Sequence, residues 1–225
     1  MKYPLFKVHV DVPNALEKLQ TVLSSGFVNE GEQVTQFTSE MCSYLNHENI
    51  VALNSCTSAL TLAMKISGVG PNTEVIAPSM TCFASLAPIH NLGGTPVWAD
   101  IQSKTGNIDL EEVKKNITPK TKAVLCVNWA GLPCDLEGLQ KLCSENNIKL
   151  IQDAAHAMGS LYNGKHVCHF ADFTCYSLQA IKHITTADGG LIVCSDKDDY
   201  RRAKNLKWFG FDRDRCKDAK GEWKG

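Results

Sequence analysis

The chain has 225 residues, 44% of them hydrophobic, and a formal net charge of −1. A chain of this length buries a substantial core of its own, and its near-neutral balance gives no electrostatic basis for binding nucleic acid or an anionic membrane. No apolar run approaches the roughly 20 residues a membrane-spanning helix requires, and the opening MKYPLFKVHVDVPNA lacks the apolar stretch of a signal peptide, so a soluble, cytoplasmic chain is expected.

In chain order, NALEKLQTVLSSG and EQVTQFTSEMCSYLN read as helices, and NIVALN as a short apolar strand. TSALTLAMKISG is an amphipathic helix ended by Gly68. TEVIAPS is a strand, FASLAPIHNLG a helix interrupted by Pro88, and TPVWADI a strand. DLEEVKKNI places acids early and lysines late, matching a helix dipole. KAVLCVNW is a strand, Asp135 caps the helix LEGLQKLCSENN, and IKLIQDA is the next strand. DFTCYSL and GGLIVCS are two further strands, and KDDYRRAKNLKWFG is the last helix before a polar tail, DRDRCKDAKGEWKG.

Short apolar strands separated by helices imply βαβ units around a mostly parallel sheet, and the last two strands, which lack an intervening helix, imply that part of it is mixed. The ten cysteines sit mostly in apolar or helical runs, with no CxxC pair. They are expected to be reduced, buried, structural thiols rather than disulfides or zinc ligands.

In an open α/β sheet, ligands bind beyond the carboxyl ends of the strands. After NIVALN comes Ser55-Cys56-Thr57-Ser58, opening a helix, where hydroxyls and free N–H groups suit an anion. After IKLIQ comes Asp153, followed by His156; after DFTCY comes Ser177, with Lys182 five residues on. Each has an ordinary reading: a helix cap, a turn carboxylate, a core histidine, a solvated lysine. Together they make a phosphate cup, a carboxylate, a hydroxyl and an amine on one sheet. Pyridoxal 5'-phosphate (PLP) needs that set, for its phosphate, its ring nitrogen and its aldehyde.

The motifs GFVNEGEQVTQF, ALNSCTSAL, VIAPSMTCFAS, DAAHAMGS, YSLQAIKHITTADGGLIV and KWFGFDRDR span nearly the whole chain. In that order they resemble the DegT/DnrJ/StrS-type sugar aminotransferases, fold type I PLP enzymes related to aspartate aminotransferase. The resemblance implies a three-layer α/β/α large domain over residues 1–225, ending before a small C-terminal domain. It implies that Lys182 forms the Schiff base with PLP and that Asp153 pairs with the pyridine nitrogen. His156 would lie near the phenolic oxygen, and Thr57 and Ser177 would bind the phosphate with help from the Cys56 backbone. No metal is implied. The implied reaction takes an amino group, commonly from glutamate, to a nucleotide-linked keto-sugar, in a homodimer whose subunits complete each other's pockets.

Besides its shorter length, the largest departure from the family's pattern, the chain differs from it in two places. Cys82 stands where many relatives have a ring-stacking aromatic, with Phe83 next to it and expected to face the core; NWAGLPCD replaces the HLYG stretch of relatives. Two other functions fit the same sequence: a PLP-dependent sugar dehydratase, disfavoured because Lys182 is present where some dehydratases carry histidine, and a non-catalytic PLP-binding partner subunit. In KWFGFDRDR, Trp208, Phe209 and Phe211 form an apolar cluster, and Arg213 and Arg215 are candidates to reach a phosphate.

Overall fold

The computed structural model describes residues 6–213 and 215–216, so most of the expected polar tail (residue 214 and 217–225) lies outside the described residues. The helices are α1 (Val12–Ser25), α2 (Glu32–Leu45), α3 (Cys56–Ile66), α4 (Phe83–Asn91), α5 (Leu110–Lys115), α6 (Leu136–Glu145) and α7 (Lys197–Lys207). The strands are β1 (Ile50–Leu53), β2 (Glu74–Pro78), β3 (Thr95–Ala99), β4 (Thr121–Val127), β5 (Lys149–Asp153), β6 (Leu161–Tyr162), β7 (Lys165–His166), β8 (Phe173–Ser177) and β9 (Gly190–Cys194).

Seven strands form one sheet in the order β1-β9-β8-β5-β4-β2-β3. β9 pairs antiparallel with both β1 and β8, and every other pairing in that sheet is parallel. The mixed character expected of the last two strands is thus confined to β9. β6 and β7 form a separate antiparallel pair, which the sequence pattern did not reveal.

Alternation along the strands divides the core in two. Ile50, Ile76, Val124, Leu150, Tyr176 and Leu191 face one layer, which holds α2, α5 and α6. Their neighbours Val51, Val75, Leu125, Ile151, Cys175 and Ile192 face the other, which holds α3, α4 and α7. The result is an α/β/α sandwich, the architecture of fold type I aminotransferases.

Local chemistry sets the helix ends. Asp109, Asp135 and Asp196 each accept backbone N–H groups in the first turn of α5, α6 and α7. α7 stops at Lys207, earlier than the pattern suggests, because Phe209 and Gly210 take left-handed backbone angles, φ 60° and 89°. β4 likewise ends at Val127, two residues short of the expected Trp129. Asn128 turns inward there: its amide donates to Gln152 Oε1 at 2.9 Å and its carbonyl oxygen accepts Cys134 N–H at 3.0 Å.

Candidate active site

The parallel strands β1, β2, β4, β5 and β8 deliver their carboxyl ends to one side of the sheet, where a cavity of about 380 Å³ opens. Cys56, Thr57, Asp153, His156, Ser177 and Lys182 all line it. These are the residues singled out from the sequence, brought together from three separate strand ends.

The α3 side is built by Ser55, whose hydroxyl caps the helix by accepting Ser58 N–H at 3.1 Å. The N–H groups of Cys56 and Thr57 are the first two of the helix, where helical geometry provides no internal acceptor. Gly190, the first residue of β9, fixes this end against the sheet. It pairs with Leu53 on one side and Ser177 on the other, holding the ends of β1 and β8 together. A Cβ on Gly190 would collide with the Ser55 carbonyl and the Cys56 amide, so close approach, not a left-handed φ, demands glycine.

Lys182 sits in the connection from β8 to β9. Its N–H donates to the Gln179 carbonyl at 2.8 Å, and the Gln179 side-chain oxygen accepts Ile181 N–H at 3.0 Å. Thr186 N–H and the Thr185 hydroxyl both donate to the Leu178 carbonyl, folding the loop back on the strand end. The Thr186 hydroxyl donates to the Asp188 carbonyl at 2.7 Å. Lys182 is therefore held in a hydrogen-bonded turn rather than at a loose element end.

Asp153 ends β5 and is 6% exposed. Its Oδ1 accepts Ala155 N–H at 3.0 Å and its Oδ2 accepts the Ser85 hydroxyl at 2.7 Å. Burial, then repulsion by the Asp153 carboxylate, pushes the Cys56 thiol well above its ordinary value, with Lys182 opposing. Burial also lowers the His156 imidazole, Lys182 and His183 lower it further, and Asp153 opposes them, so the ring is neutral near pH 7.

Sequence reasoning missed Thr81, Ser85 and Trp129, which also line the cavity. Ser85 lies in the first turn of α4 and Thr81 just before its N-cap Cys82, and nothing in the sequence shows that this helix start meets Asp153. Trp129 packs edge-on to His156, with ring centroids 5.8 Å apart. Cys82 lines the cavity, whereas Phe83 is 69% exposed and faces neither the cavity nor the core. NWAGLPCD is tied down by Asn107, which donates to the Leu132 and Pro133 carbonyls and accepts Trp129 N–H. Arg213 and Arg215 are engaged elsewhere: Arg213 lies over the Trp208 ring, 4.0 Å from its centroid, and Arg215 pairs with Asp212. Among the described residues no group of three or more His, Cys, Asp or Glu side chains could hold a metal ion.

A mostly parallel, mixed sheet with helices on both faces is the α/β scaffold of fold type I aminotransferases. Residues 11–225 match the DegT/DnrJ/EryC1/StrS aminotransferase family, and the chain belongs to it. The family is PLP-dependent, and solved relatives include PLP and PMP forms.

The chain is 33% identical over 198 residues to the spore coat polysaccharide biosynthesis protein SpsC of Bacillus subtilis (strain 168), covering 88% of this chain and 51% of SpsC. The PLP form of Spr1654 from Streptococcus pneumoniae superimposes with a TM-score of 0.85 at 32% identity, covering 91% of this chain and 57% of that one. DesI, solved in the presence of its TDP-sugar product, gives a TM-score of 0.86 at 33% identity, covering 91% of this chain and 52% of DesI. The chain thus spans about half the length of the relatives it matches.

Proposed function

We propose that residues 1–225 form the PLP-binding large domain of an aminotransferase that moves an amino group from glutamate to a nucleotide-linked keto-sugar, acting as a homodimer. A cytoplasmic location agrees with ten cysteines among which the described ones are free. One observation carries the reading: Lys182, Asp153 and the N-terminus of α3 converge on a single cavity at the strand ends. The sugar acceptor is supported by SpsC, named for polysaccharide biosynthesis, and by DesI with its TDP-sugar product.

The donor set fits PLP. A buried carboxylate suits a protonated ring nitrogen, a helix N-terminus with the Thr57 and Ser177 hydroxyls suits a phosphate, and an amine suits an aldehyde. Bound there, the cofactor supplies an electron sink for negative charge at the donor's α-carbon. Asp153 would hold the proton on the ring nitrogen, and neutral His156 would lie near the phenolic oxygen. The N–H groups of Cys56 and Thr57 would hold phosphate oxygens, and Lys182 Nζ would take the proton from the amino donor's α-carbon. A lysine at this position favours transamination over dehydration.

The test is spectroscopic and chemical. Purified protein with PLP should show a protein-bound absorption band that glutamate bleaches. Borohydride followed by peptide mapping should place the pyridoxyl mass on the peptide containing Lys182; a label on another lysine would remove Lys182 from the role.

A further inference from the structure

We propose that Ser85, oriented by Thr81, is the positioning residue that aims the Asp153 carboxylate into the cavity. The inference rests on the reading of Asp153 given above. Ser85 lies in the first turn of α4, is 1% exposed, and is 68 residues from Asp153 in sequence. A serine hydroxyl has one proton, and here it goes to Asp153 Oδ2 at 2.7 Å. The 2.9 Å contact between the Thr81 and Ser85 hydroxyls must then be donated by Thr81. Thr81 lines the cavity, so a two-hydroxyl relay runs from the cavity wall to the carboxylate, Thr81 donating to Ser85 and Ser85 to Asp153.

With Ala155 N–H on Oδ1, each carboxylate oxygen receives one fixed donor from a different element. A carboxylate at a strand end can rotate about its own side-chain bonds; one held at both oxygens cannot turn without breaking a charge-assisted hydrogen bond. The remaining lone pairs are thereby fixed in direction. The relay also bridges the sheet: α4 follows β2, and Asp153 ends β5, with β4 between them. The position of α4 is in this way coupled to the direction of the carboxylate.

The experiment measures equilibrium binding of PLP and of its carbocyclic analogue 1-deaza-PLP, which lacks the ring nitrogen, to the cofactor-free protein. Wild type, Ser85→Ala, Ser85→Thr, Thr81→Val and Asp153→Asn are compared, with thermal unfolding as a control for folding. Wild type should prefer PLP over the analogue. Ser85→Ala should weaken PLP binding about tenfold, within the range of a lost hydrogen bond to a charged group, and leave analogue binding unchanged. Ser85→Thr, which keeps the hydroxyl, should restore the preference, and Thr81→Val should give a smaller loss that does not add to that of Ser85→Ala. Equal losses for both ligands would mean that Ser85 only supports the fold, and would overturn the inference alone. Asp153→Asn should lose the preference; a wild type that binds both ligands equally, or an Asp153→Asn protein that still prefers PLP as wild type does, would overturn the reading of Asp153, and this inference with it.

Discussion

His156 stands between opposing charges, so its titration reports on the site. Its imidazole is lowered first by burial and then by Lys182. Lys182→Met should therefore move the His156 midpoint upward, seen by NMR titration of the ring protons; an unmoved midpoint would separate the two side chains. His47 is also lowered, by burial and then by His169. Both histidines hold protons less readily in the folded chain than in the unfolded one. As pH falls through the ordinary imidazole value of 6.5, the unfolded chain gains protons first and stability drops. Urea midpoints should be lower at about pH 5.5 than at about pH 7.5.

The thiols are set by burial as well: Cys143 and Cys194 are pushed up to about 12, and Cys168 to about 11. Iodoacetamide near neutral pH should label exposed Cys82 well before these or Cys56. Asp153→Asn, close in shape, should keep the fold while slowing amino transfer from glutamate about a hundredfold or more, if the charge acts where it is proposed to act.

At the scale of elements, Gly190 is the joint between β9, α3 and β8. Gly190→Ala should cost about 1–3 kcal/mol, as overpacking does, and should weaken PLP binding because the Ser55–Thr57 arm is displaced. Urea unfolding and a PLP titration would check the two effects together. The Gly189-Gly190 pair was visible in the sequence as a feature of the lysine block, but its physical reason was not. For Gly190 that reason is contact with a helix N-terminus 135 residues earlier in the chain, while Gly189 packs against Thr186 and Leu178.

A second joint involves Glu30. Burial alone would raise its carboxyl, but a 2.6 Å bond from Lys207, the Trp208 indole N–H at 2.9 Å and nearby Arg213 together lower it. Glu30→Ala should destabilise by about 1–3 kcal/mol, the usual cost of stranding hydrogen-bonded partners, measurable in the same urea assay. The sequence put Trp208 in an apolar cluster and made Arg213 a candidate to reach a phosphate; in the structure both lie against Glu30, in the loop before α2.

At the scale of the molecule, α1 presents Val12, Leu16, Leu19 and Leu23 along one helical stripe, each at least 50% exposed, and none of its residues is buried. An unpartnered stripe of this kind drives association. The chain should therefore self-associate with concentration in sedimentation experiments, and Leu16→Asp with Leu23→Asp should suppress it; a protein that sediments as a monomer at all concentrations would count against the homodimer.

The α/β class, the order of elements and the strand-end residues were legible because they depend on short-range information: hydrophobic period, capping residues, and the residue that follows each strand. Lys182, Asp153 and Thr57 could be singled out for that reason. What the sequence could not show is which strand lies beside which. The order β1-β9-β8-β5-β4-β2-β3 places β1 next to β9 and β2 two strands from β5. That order alone brings Gly190 against Ser55 and Ser85 against Asp153. Local patterning marks the long helices and the strands of the main sheet, because it acts over a few residues, whereas the short β6–β7 pair and the outward side of Phe83 escaped it. The tertiary structure decides the partners, because burial of both sheet faces selects a single arrangement of strands, and contacts between distant residues exist only within it.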